Sequence, residues 1–312
     1  MPGPPDESLP NNVSSGGLSS VTAGLDRTTR RMRRHVASKI AGLVAVFILV
    51  FIVQGLARNS ALQWSVVGTY LFSHTVLSGL VRTLTITAVA IAIAVVLGIV
   101  LANMRLSKNR VLRTVNAVYV WFFRSIPLLV LLILAYNFSL LYLNLSVGIP
   151  FGPAFFTFMT KDLTAAMTAA FLTFGLQQAA YTSEVIRAAI LSVPKGQTEA
   201  AEALGMTQLR TMLRIVLPQA TRVAIPPIAN ETINLCKSTS LVAFISIPDL
   251  LYSVQETYSR TFQVVPLLVV ATIWYTVIVS ILSLIQWWLE RTLGSSSRGS
   301  RSRGTVVAAE AL

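Results

Sequence analysis

The chain has 312 residues, 54% of them hydrophobic and only 12% charged, with a mean hydropathy of +0.68 and a formal net charge of +13. That balance excludes a soluble globular domain and assigns the chain to the integral membrane proteins. No base-reading motif accompanies the positive charge, Cys236 is the only cysteine and so excludes an intrachain disulfide, and His35 and His74 stand apart from any Cys or paired carboxylate, which leaves a metal site without support.

In chain order, residues 1–26 are rich in Pro, Gly, Ser and Asn, and 27–39 carry six basic side chains, so 1–38 is expected to be a disordered basic cytoplasmic tail. The apolar run 40–57 starts too far along the chain, and is too long, to be the apolar part of a signal peptide. An uncleaved transmembrane helix is expected there. Trp64, Tyr70 and Phe72 suit a helix lying at the membrane surface, so 39–78 combines that span with an interfacial segment. Residues 83–104 run for 22 positions without a charge. At about 1.5 Å per residue they cross a bilayer core of about 30 Å. Further spans are expected at about 117–142, 163–183, 219–236 and 264–289, with a Gly- and Pro-containing loop over 143–162 and a disordered Ser/Arg/Gly-rich tail over 291–312. The 163–183 span is rich in Ala and Thr, which places it inside the bundle. The expected fold is all-α: an integral membrane protein of about six transmembrane helices.

Charge sets the orientation. The tail before residue 40, the loops 105–116 and 184–222, and the tail from 290 hold nineteen of the 25 Lys and Arg residues. Under the positive-inside rule these segments, and both termini with them, are cytoplasmic.

The segment 184–218 is water-compatible and lies between two apolar spans. Thr198 can cap a helix that carries Glu199 and Glu202, Gly205 can stop it by taking positive φ, and Thr207 can cap a second helix in which Leu209, Met212 and Leu213 share a face against Arg210 and Arg214. Pro218 marks the passage into the next span. Helix, glycine turn and second helix form a knuckle facing the cytoplasm.

The spacing of Glu199, Ala200, Ala201, Gly205, Ile215, Leu217 and Pro218 resembles the EAA loop of the permease subunits of bacterial ABC importers. GLVRTLTIT, FFRSIPLLV at 122–130, AAYTSEVIRAAILSVPKGQTEAAEALG at 179–205 and NETINLCKSTSLVAFI at 230–245 resemble the polar amino acid permeases in particular. The likeness spans 79–290. It departs in the extra span 40–57, added to a five-helix core, and in Ile126, where a small polar residue is usual. The resemblance implies a type I importer fold in the bacterial cytoplasmic membrane. It implies a non-catalytic subunit that holds no cofactor of its own, with ATP and Mg on the partner ATPase. It implies as partners two nucleotide-binding ATPase subunits that dock on the knuckle (Glu199, Ala200, Ala201, Glu202, Gly205, Ile215, Leu217 and Pro218), an extracytoplasmic amino-acid-binding protein, and a second copy or a homologous permease. Consistent with this, the chain carries no G-x-x-x-x-G-K-[ST] phosphate loop.

A second candidate site lies in the span from about 219. Pro226 and Pro227 are expected to break or kink the helix, and Asn230, Glu231, Asn234, Lys237, Ser238, Thr239 and Ser240 follow at depths where polar groups are expensive. Asn230, Asn234 and Lys237 are spaced to share one face. Glu231 attracts a substrate's ammonium or cationic side chain, pairs with Lys237, or serves as polar helix glue at a subunit contact. Arg124 and Pro127 are candidates for a cytoplasmic gate, and Glu184 and Arg187 for a local pair. The alternative function is an ion-coupled carrier using Glu231 and Glu184, which leaves the knuckle unexplained. A membrane enzyme lacks any nucleophile pair, paired acids or metal ligands in the spans.

Overall fold

The computed structural model describes residues 42–141, 144–149, 154–160 and 165–294. The expected tail 1–38, and 291–312 beyond residue 294, lie outside them. The chain divides into two units, 1–62 and 63–312. In the first, α1 (Gly42–Arg58) occupies the expected 40–57 span. Its apolar side chains, Leu43, Phe47, Ile48 and Phe51 among them, are exposed on every side of the helix, as suits an element whose surroundings are themselves apolar.

The second unit runs α2 (Trp64–Leu71), α3 (His74–Leu106), α4 (Arg110–Ser125), α5 (Leu128–Tyr136), α6 (Phe138–Leu141), β1 (Asn144–Gly148), β2 (Ala154–Met159), α7 (Ala166–Leu191), α8 (Lys195–Ala203) and α9 (Gln208–Thr211). A π turn (Met212–Val216) leads into α10 (Leu217–Ser238), a 3-10 turn (Thr239–Ile245), α11 (Leu250–Thr261) and α12 (Val264–Gly294). The fold is mostly helical, with one correction to the all-α expectation. Part of the 143–162 loop is an antiparallel hairpin in which Asn144 faces Met159 and Val147 faces Phe156. Aromatic and β-branched residues on either side of a Gly- and Pro-containing stretch of sequence favour paired strands over a structureless loop.

The expected crossings are also drawn differently. Among the described residues, His74–Leu106 and Val264–Leu293 are each long and apolar enough to cross a membrane alone. α3 starts nine residues before the apolar run at 83, because the Ser73 side chain accepts from the Val76 amide and opens the helix there. The expected 117–142 span is instead α4 and α5, bent by 98°. Pro127 forces this break: it disfavours helical φ/ψ at Ile126, which sits at φ −101°, ψ 131°. The run Gln208–Ile245 with α11 is a second bent pair, at 45°.

α7 sits at the centre, packed by α3, α4, α5 and α10. Its Ala169, Ala170, Thr173, Ala179 and Ala180 are buried, which is the interior position that the small residues predict. Phe174 joins Ile86, Leu132, Leu235 and Val242 in one core cluster. A second cluster, Val67, Val76, Leu250, Val254 and Leu267, ties α2, α3, α11 and α12 together. Gly79 permits that packing: a Cβ there would lie 2.6 Å from the Asp249 carbonyl oxygen. Thr83 adds a polar tie, its hydroxyl accepting from the Leu250 amide at 3.1 Å.

Candidate functional site

Two places depart from plain helix packing. The first is the knuckle. α8 opens at Lys195 with Pro194 as the preceding residue, so Thr198 lies inside the helix rather than capping it. Proline's fixed φ and missing N–H make it a natural entry to a first turn and displace the expected cap by four positions. The helix ends as expected. Gly205 takes φ +75°, the Met206 amide donates to the Ala201 carbonyl at 3.0 Å and the Gly205 amide to the Glu202 carbonyl at 2.9 Å. This paired closure is a Schellman motif, in which a left-handed residue lets two terminal carbonyls find donors.

Thr207 caps the next turn, its hydroxyl accepting from the Arg210 amide at 3.5 Å. The chain then stays helical into α10 through the π turn, so Pro218 marks no interruption and stands in the first turn of α10. Glu199, Ala200, Glu202, Gly205, Leu217 and Pro218 are exposed and Ile215 is half-buried. Ala201 is 2% exposed, and its side chain is used in the chain's own packing rather than offered outward. Leu204 and Leu209 are 83% and 69% exposed at the turn, a local apolar surface with no cover among the described residues.

The second place is a cavity of about 420 Å³ where α4, α5, α7 and α10 meet. The α4–α5 break leaves carbonyls at the end of α4 without helical donors. The Gln177 amide donates to the Phe123 carbonyl at 3.1 Å and to the Ile126 carbonyl at 3.0 Å, which satisfies them from α7. Next to it, Gln178 donates to Glu231 Oε2 at 3.2 Å. Arg124 lies over the Tyr181 ring at 5.0 Å from its centroid, and both line the cavity with Pro127.

From α10 the cavity receives Glu231, Asn234 and Ser238, spaced as one helical stripe. Asn230 and Lys237 are exposed and outside that lining, which separates the face they were expected to share with Asn234. Ser238, Thr239 and Ser240 donate to the Asn234, Cys236 and Lys237 carbonyls, so these hydroxyls serve their own helix, and Thr239 is buried. Pro226 and Pro227 do not break α10, which continues from Leu217 to Ser238. Each proline frees one carbonyl, but the geometry changes only at Thr239–Ile245, where the helix tightens to 3-10. Glu184 is held by Arg187 at 2.7 Å, the local pair that the spacing predicts.

Gln177, Gln178 and Tyr181 escape a reading that treats 163–183 as Thr/Ala packing. Two consecutive glutamines in an apolar span were the available signal, since unpaired amides are costly there.

The sequence matches the family described as the binding-protein-dependent transport system inner membrane component over residues 94–295. It is 36% identical to the arginine transport system permease protein ArgU of Corynebacterium glutamicum, over 83% of this chain and 80% of that protein. It is likewise 36% identical to the L-cystine transport system permease protein TcyB of Bacillus subtilis, over 76% of this chain and 94% of that protein. Among solved structures, an amino acid ABC transporter crystallised with histidines superposes with a TM-score of 0.60 at 30% identity, over 70% of this chain and 94% of that one. The MetNI methionine ABC transporter shares the fold, with a TM-score of 0.57 at 18% identity over 70% of this chain and 96% of that one. The chain therefore belongs to the binding-protein-dependent transport system inner membrane components, within the amino acid ABC transporter permeases.

Proposed function

We propose that this chain forms the membrane path of an ABC importer for polar amino acids and that the cavity at Glu231 receives the substrate in transit. One observation carries the reading. Glu231 is the one acid lining the cavity, whose other polar groups are amides, hydroxyls and the Arg124 guanidinium set among Ile126, Pro127, Leu128, Phe174 and Leu235, and it is oriented by Gln178 rather than neutralised by an ion pair among the described residues. A carboxylate at one point and a guanidinium at another suit a zwitterion, with the ammonium at Glu231 and the carboxylate at Arg124. The names of the arginine and cystine relatives agree with that substrate class.

Energy enters from outside the chain. Two ATPase subunits dock on the knuckles of a permease pair, Leu204 and Leu209 supply apolar contact, and the Schellman turn keeps α8 rigid while ATP-driven closure rocks the helices between outward and inward access. An extracytoplasmic binding protein delivers the substrate, and both termini of the permease are cytoplasmic. An ion-coupled carrier would need free acids for its ions, and Glu184 is committed to Arg187.

The test uses the assembled complex in proteoliposomes. Glu231→Gln should lower uptake efficiency by roughly ten- to hundredfold, the worth of a charge-assisted hydrogen bond. Binding-protein affinity and ATPase docking should stay intact. Unchanged uptake rate and substrate preference would remove Glu231 from the path, and uptake driven by an ion gradient without ATP would reject the importer reading itself.

A further inference from the structure

A groove of about 510 Å³ lies away from the cavity, at the junction of α3 and α4, and no role described above uses it. Arg105, from the end of α3, and Arg110 and Arg113, from the first turns of α4, line one end. Ala117, Val118 and Trp121 continue the lining along α4, at spacings that keep them on one stripe of the helix. Among the described residues the three guanidinium groups form no ion pair or side-chain hydrogen bond, and no acid lines the groove. Val118 and Trp121 are 58% and 68% exposed, so the stripe has no cover among the described residues.

We propose that this groove holds one anionic phospholipid, with its phosphodiester among Arg105, Arg110 and Arg113 and an acyl chain along Ala117, Val118 and Trp121. A guanidinium fork matches phosphate oxygens and is more weakly hydrated than an ammonium, so it can bind an anion at the edge of an apolar phase. The sequence of chemistries along the stripe, three cations and then an apolar run ending in an indole, follows the order of groups in a phospholipid. A second copy of the chain fits less well. It would have to bring carboxylates to three cations, and the chain carries 12 acids against 25 bases.

The full-length chain in nanodiscs tests this through Trp121, whose emission is isolated as the difference between the wild type and Trp121→Phe. Brominated phosphatidylglycerol should quench that difference at a far lower mole fraction than brominated phosphatidylcholine. Each arginine removed should weaken the preference roughly fivefold, so Arg110→Gln with Arg113→Gln should reduce it about twenty-five-fold. Inorganic phosphate and soluble glycerol phosphate should leave the quenching in place, because neither supplies the acyl chain. Equal quenching by the two lipids would overturn the proposal, and displacement by inorganic phosphate would reassign the groove to a soluble anion. Absence of quenching by either lipid, together with a disulfide between two Val118→Cys copies, would give it to a permease dimer.

Discussion

Gly205 offers the sharpest separation between a residue kept for its backbone and one kept for its small size. It is the left-handed residue of the Schellman closure at φ +75°, yet a Cβ built on it would meet nothing within 4 Å. Within this chain, any cost of a side chain therefore comes from φ alone. Gly205→Ala should cost about 1–2 kcal/mol, Asn less because its side chain tolerates the left-handed region, and Val more because branching at Cβ worsens the same clash. The cost is local, so it should appear as faster hydrogen exchange at the Gly205 and Met206 amides, which bond the Glu202 and Ala201 carbonyls. The acceleration for Ala should be roughly five- to thirtyfold. Capture of the ATPase subunit should weaken in the same order, Gly, Asn, Ala, Val. If Asn disrupts capture more than Ala does while leaving amide protection intact, the reasoning is refuted: side-chain volume against the partner, not φ, would then be what Gly205 answers to.

Three further substitutions test the packing that positions the cavity. Gln177→Met keeps length and removes the donor, leaving the Phe123 and Ile126 carbonyls unsatisfied; thermal unfolding in detergent should show a loss of about 2–4 kcal/mol, and the α4–α5 bend should loosen in spin-label distances. Gly79→Ala places a methyl against the Asp249 backbone, which has no rotamer to escape into, so α3 and α11 must separate at about 1–3 kcal/mol, with Gly79→Ser no milder. Thr83→Val is nearly isosteric but leaves the buried Leu250 amide without its acceptor, for about 1–3 kcal/mol, and Thr83→Ser should recover most of it.

The sequence carried the fold where a local rule dominates. Gly205 and Thr207 behave as the turn chemistry demands, the small residues of 163–183 turn inward, and Glu184 pairs with Arg187 three residues on. It misled where the same residue type obeys two rules. Pro127 breaks a helix and Pro226 and Pro227 do not, because Gln177 satisfies the carbonyls at the first site, whereas α10 absorbs the second pair within its regular path. A proline reports one lost donor and says nothing of where the freed carbonyls find a partner. The site was half legible for a related reason. Glu231, Asn234 and Arg124 are conspicuous charges or amides in apolar surroundings, and the Gln177–Gln178 pair is visible as well, but the partners of Gln178 and Tyr181 are fixed only once α7 is seen to face α10 and α4.

The cavity's position follows from those irregularities. A membrane helix that is regular throughout satisfies its own backbone and gives a polar solute nothing to bind. At the α4–α5 break that self-sufficiency lapses, and α7 must carry an amide, Gln177, to restore it. Once one amide is required on α7 at this depth, a second beside it finds an acid across the gap: Gln178 meets Glu231. Pro127 thus accounts for more than a bend. It creates the demand that draws polar groups into the bundle, and under the proposed function those groups are where a charged solute would replace its lost hydration. A Pro127→Ala change that straightened α4 into α5 should therefore reduce transport even though Pro127 offers a substrate no hydrogen-bond donor, and normal uptake in a variant shown by spin-label distances to be straight would break this chain of reasoning.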